Sequence, residues 1–191
     1  MEGLSRGGGL AISLHHRRTR TVTDRQAGLT LGFLTVLHDA AGFTGGYLVT
    51  NAWGRPLEFR LTTPVQPNRV QEILYGATLG DYIHADLIGK TLVDKTSVTP
   101  TLIVTDTIEV LTLRTLVNMP VIAVGASDGA ITIEHARSSK PLSILAIHGS
   151  DGAAIDSFLN DLDAGVDLAE PFARIREAVS EARNSGLARA A

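Results

Sequence analysis

The stretch 101–125, TLIVTDTIEVLTLRTLVNMPVIAVG, sets two fully apolar strand-like runs on either side of a segment of helical length. Short apolar runs of this kind suit strands buried on both faces of a sheet, so the pattern predicts strand, crossover, strand. Asp106 then falls at the carboxyl end of the first strand, where open α/β sheets bind ligands. A carboxylate there is also a favoured helix N-cap, and Glu109 three residues on completes a capping box worth about 1 kcal/mol. Asp106 is therefore expected to be a cap first and a site residue second.

The flanking sequence is antiparallel in character. Leu29, Leu31, Phe33 and Leu37 alternate with Thr30, Gly32 and Val36, a strand that stops at His38-Asp39. Gly45-Gly46 opens a second strand through Thr50, Asn51 to Gly54 supplies a turn, and Leu57, Phe59 and Leu61 alternate with Glu58 and Arg60. Asn68 and Gln71 form a capping pair before a helical stripe of Val70, Ile73, Leu74 and Ala77, and a second helical run leads from Thr78 toward Lys95. Beyond the central unit come Val121 to Val124, the turn Ser127-Asp128-Gly129, Ile131 to His135, and Leu142 to Ile147, spacings that suit an antiparallel meander. Asp151 suits a helix cap, and Pro171 suits the first turn of a last helix carrying Phe172, Ile175 and Val179.

The fold expected is α/β (α+β): a single-domain mixed sheet with N-terminal antiparallel strands, one central βαβ-like unit, an antiparallel meander and C-terminal helices. Residues 1–27 read as a flexible tail, 28–186 as the single domain and 187–191 as a frayed C-terminus. A chain of 191 residues with 44% hydrophobic content can bury one substantial core. The first eighteen residues lack a signal-peptide pattern and no apolar run is long enough to span a bilayer, so the expected location is cytoplasmic.

Chemistry is harder to find. No cysteine is present, and neither H-x-x-x-H nor H-E-x-x-H occurs. Asp81, His84 and Asp86 read as a solvated helix face, and no cofactor is expected. Gly89-Lys90-Thr91 lacks the glycine that a phosphate loop needs five positions earlier, where His84 stands. Gly125-Ala126-Ser127-Asp128-Gly129 matches G-x-S-x-G, but the strand pattern that follows contradicts a strand-to-helix elbow. The repeated Ser-Asp-Gly-Ala at 127–130 and 150–153 reads as coincidence in turn-rich sequence.

Two functional readings result. The preferred one is a noncatalytic binding or assembly module, with Trp53 and Arg55 at a hairpin tip offered to an unknown protein partner or a homo-oligomer mate. The other is a small hydrolase with a site at strand ends built from Asp106, Ser127 and His148. The formal charge of −3 argues against nucleic acid and membrane as partners, and the basic cluster from His15 to Arg20 reads as part of the tail.

Overall fold

The computed structural model describes residue 26 and residues 28–185. The expected tail apart from residue 26, the basic cluster within it and the frayed C-terminus lie outside them. Seven strands form one mixed, open sheet: β1 (Thr30–Asp39), β2 (Gly42–Asn51), β3 (Pro56–Leu61), β4 (Leu102–Thr105), β5 (Val121–Val124), β6 (Ala130–Ile133) and β7 (Leu142–Leu145). Their spatial order is β3-β2-β1-β4-β5-β7-β6. β1 is antiparallel to β2 and parallel to β4, which is parallel to β5, so the chain leaves β1 on one side and returns on the other. The last three strands are antiparallel neighbours, with β7 between β5 and β6.

Helices cover both faces. On one lie α3 (Gly152–Asn160) and α4 (Glu170–Asn184), whose Ile155, Phe172, Ile175 and Val179 pack on Leu31, Phe33, Leu48 and Val104. The other carries a continuous helical segment over 79–95, called α2, which is π-helical over Tyr82–Gly89, together with a 3-10 helix at Ile108–Thr115. Ile88, Leu92, Val110 and Leu113 pack there on Leu34, Tyr47, Val49 and Ile103. Burying each such side chain contributes about 1.5–3 kcal/mol. This two-sided burial explains why the alternation in β1 breaks at Leu34: a central strand needs apolar side chains on both faces.

Gly45 and Gly46, expected to open a strand, sit within β2 beneath the two helical layers. A β-carbon on Gly45 would stand 2.2 Å from Ile88 Cγ2, and one on Gly46 2.3 Å from Ile175 Cγ2. The capping box of Asn68 and Gln71 forms as expected at α1 (Arg69–Tyr75). Its apolar stripe does not reach the core: Val70, Ile73 and Leu74 are 62–77% exposed. Gly76, at φ +51°, turns the chain after two helical turns, before the stripe meets the sheet.

Candidate functional site

The connections of β1 and β4 depart in opposite directions, which makes their carboxyl ends a topological switch point. Register pairs Leu34 with Thr105, so Asp106 follows beside Thr35. Phe33 and Val104 face α4, and the two-residue period carries Thr35 and Asp106 to that same face. Three threonines gather there, of which Thr107 ties the continuation of β4 to β1. Thr107 Oγ1 accepts from the Val36 N–H at 3.2 Å, Thr105 Oγ1 accepts from the Thr107 N–H at 3.1 Å, and Thr35 is buried alongside.

Asp106 is not the helix cap that its spacing to Glu109 predicts. The 3-10 helix begins at Ile108, its cap position is Thr107, and no side chain caps it. The tighter helix satisfies its first turn through the backbone, with the Val110 N–H donating to Thr107 O at 3.0 Å. The Asp106 carboxylate instead forms an ion pair with Arg176 of α4, the guanidinium side chain being 49% exposed and the aspartate 17%. Seven residues along α4, Arg183 pairs with Asp39 and donates to Thr44 Oγ1 at 2.7 Å. The Ala41 N–H and Arg183 together hold the Asp39 carboxyl below the usual carboxylate range. Two guanidiniums on one helix thus face the ends of β1 and β4.

The other expected residues lie elsewhere. Ser127 donates weakly to Asp128 O at 3.5 Å in a turn between Gly125 and Gly129, both at positive φ, and β6 follows as a strand. It borders a cleft of about 230 Å³ with Asp81, Glu109 and Thr112, whose lining includes neither Asp106 nor His148. His148 is half-buried near Asp151, whose carboxyl is held low by the hydrogen bond from Arg114. No hydrogen bond or ion pair joins any two of Asp106, Ser127 and His148 among the described residues. Asp151 does not cap α3 through its side chain; Arg114 takes that carboxylate, at 2.6 Å.

Trp53 is 44% exposed, and the N–H groups of Trp53 and Arg55 both donate to Asn51 Oδ1, at 3.0 and 3.1 Å. The indole borders a cleft of about 380 Å³ with Val166, Pro171 and Arg174. His84 Nδ1 lies 2.6 Å from Gly80 O, and no group of three or more potential ligands converges to hold a metal among the described residues. Gly89-Lys90-Thr91 lies within α2. The two Ser-Asp-Gly-Ala stretches occupy a strand-entering turn and a helix start, so they share no structure. Among the described residues, no helix is long and apolar enough to cross a membrane.

No family model and no curated protein matches the chain. Among solved structures, an endonuclease V from Bacillus subtilis is similar at TM-score 0.46 and 12% identity, over 81% of this chain and 83% of its own. A Marinitoga piezophila Argonaute in complex with a 5′ OH guide RNA is similar at TM-score 0.32 and 13% identity, over 64% of this chain and 23% of its own. One neighbour is described as an endonuclease and the other with a bound guide RNA, against the expectations of a noncatalytic binding or assembly module and of a chain whose charge argues against nucleic acid as a partner. Both expectations are withdrawn. Net charge, one ground for the second expectation, is a sum over the whole chain that ignores how charges are placed. At these TM-scores the likenesses assign no activity.

Proposed function

We propose that the chain acts on nucleic acid, with its reaction centre at the carboxyl end of β4, where Asp106 lies beside Thr35 of β1. The observation that carries this reading is the Asp106–Arg176 pair: a carboxylate with no capping duty, set at the switch point and held by a half-exposed guanidinium. A phosphate competes with a carboxylate for such a planar fork. A strand phosphate taken by Arg176 releases Asp106 to accept the proton of a water attacking phosphorus. The oxygen–phosphorus bond to that water forms, and the bond to the leaving oxygen breaks with its electron pair going to that oxygen, which takes a proton from solvent. Asp106 later returns its own proton to solvent, and Arg176 offsets the added charge. Arg183 stands about 10 Å farther along α4 by helical rise, offering a second phosphate contact to a strand laid along the helix. Residues 28–186 are the working unit in this reading, and the cytoplasm its compartment.

The test is a fluorescence-anisotropy titration of labelled single-stranded and duplex DNA and RNA at several salt concentrations. The expected result is binding that weakens with salt and falls about tenfold or more in Arg176→Ala, with an unchanged circular dichroism spectrum. Absence of binding to all four probes at low salt overturns the proposal.

A further inference from the structure

β3 is the outer strand on one side of the sheet, and no strand lies beyond it among the described residues. The Thr62 N–H donates to Gly45 O at 3.0 Å, and the register pairs Leu61 with Gly46, Arg60 with Tyr47, Phe59 with Leu48 and Glu58 with Val49. Antiparallel pairs alternate between bonded and non-bonded positions. Thr62, Arg60 and Glu58 therefore turn their backbone groups toward β2, and those of Leu61 and Phe59 point outward; Leu57 faces no residue of β2, because the register shifts between Val49 and Thr50.

The strand is also complementary to itself. Laid antiparallel against a second copy about a two-fold axis at Phe59, it sets Phe59 opposite Phe59, Leu57 opposite Leu61 and Glu58 opposite Arg60. The outward backbone groups of Phe59 then form the central bonded pair, with Leu61 of each copy next to it. Glu58 and Arg60 fall at non-bonded positions, where facing side chains approach most closely, and their opposite charges meet twice. Within one chain they already attract, at 2.6 Å. Phe59, which pairs with Leu48 on the α4 face, is 38% exposed and Leu57 is 49% exposed, so the same register brings apolar side chains of the two copies together.

We propose that the chain forms a symmetric dimer by pairing two β3 edges into one continuous sheet. Charged residues and an initial proline are common protection against edge pairing. Here Pro56 lies outside the paired span 57–61, and the two charges are opposite and matched, so they favour this register. The pairing is independent of the nucleic-acid reading.

Sedimentation velocity of the full chain across a concentration series tests it. The wild type should be dimeric at about 50 µM, and Phe59→Pro, which removes an outward N–H while sparing the ladder to β2, should weaken the dimer at least about tenfold with an unchanged circular dichroism spectrum. Glu58→Arg and Arg60→Glu should each be monomeric, because each sets like charges opposite one another. Mixing the two variants should restore a dimer, since the doubly positive edge of one then faces the doubly negative edge of the other. A wild type that stays monomeric throughout, an undiminished Phe59→Pro dimer, or a mixture that fails to pair overturns the proposal.

Discussion

Gly46 of β2 lies directly beneath Ile175 of α4, so close that a β-carbon on the glycine would stand 2.3 Å from Ile175 Cγ2. This contact sets the height of α4 on the sheet, and with it the reach of Arg176, one residue on, toward Asp106. Gly46→Ala should cost about 1–3 kcal/mol in urea unfolding, the usual range for overpacking a close-packed interior. Truncating Ile175 in the same chain should recover part of that loss. Additive effects of the two changes would contradict the contact.

Arg114 and Asp151 join the 3-10 helix to the turn before α3 at 2.6 Å, with Arg114 also donating to Val117 O at 2.9 Å. The guanidinium, chiefly through its hydrogen bond, holds the Asp151 carboxyl below its ordinary value of 3.8. A folded-state pKa below the unfolded one adds stability that is fully present above the unfolded value and is lost as pH falls through the folded value. The acid limb attributable to this pair should therefore lie below about pH 3.8. Asp151→Asn should lower stability by about 1 kcal/mol at neutral pH and shrink that limb in denaturation measured from pH 6 to pH 2.

The Tyr47 hydroxyl is buried without a hydrogen-bond partner among the described residues, packed where a β-carbon on Gly32 would meet it at 2.2 Å. Burial pushes its ionisation far above the ordinary tyrosine range, with the Glu58 carboxylate adding to the effect. Since an unsatisfied buried hydroxyl costs free energy, Tyr47→Phe should leave thermal stability unchanged or raise it by up to about 1 kcal/mol. A marked loss would reveal a hydrogen bond to this hydroxyl.

How far the sequence can be read depends on whether its signal is local. The apolar runs at 102–105 and 121–124 announce buried strands because a strand covered on both faces leaves no polar positions. The Asn68–Gln71 box is equally visible, being complete within four residues. The stripe of α1 misleads because periodicity records a face and does not say what covers it. Gly45-Gly46 reads as a strand opening because glycine marks breaks and close approaches alike, and only packing separates the two. Asp106 reads as a cap for a related reason: its partner stands 70 residues away on α4, while the capping alternative is three residues off and cheap to imagine. Arg176 and Arg183 carry one faint signal, since both lie beside the core stripe Ile175 and Val179 on a helix otherwise rich in charge.

Arg183 should contribute to phosphate contact without taking part in the chemistry. Arg183→Ala is expected to weaken oligonucleotide binding several-fold and to lower the salt dependence by about one counterion, leaving turnover at saturating substrate within about twofold of wild type. A collapse in turnover at saturation would place Arg183 at the reacting phosphate.

The most direct test of the account follows end-labelled single-stranded DNA and RNA, in the presence and absence of divalent cations, with the wild type and Asp106→Asn. The substitution keeps the shape of the side chain and removes the carboxylate that receives the proton. Shortened products are expected from the wild type, and from Asp106→Asn a loss of cleavage of about a hundredfold or more with binding retained. No cleavage by the wild type under any of these conditions, or equal cleavage by the variant, would contradict it.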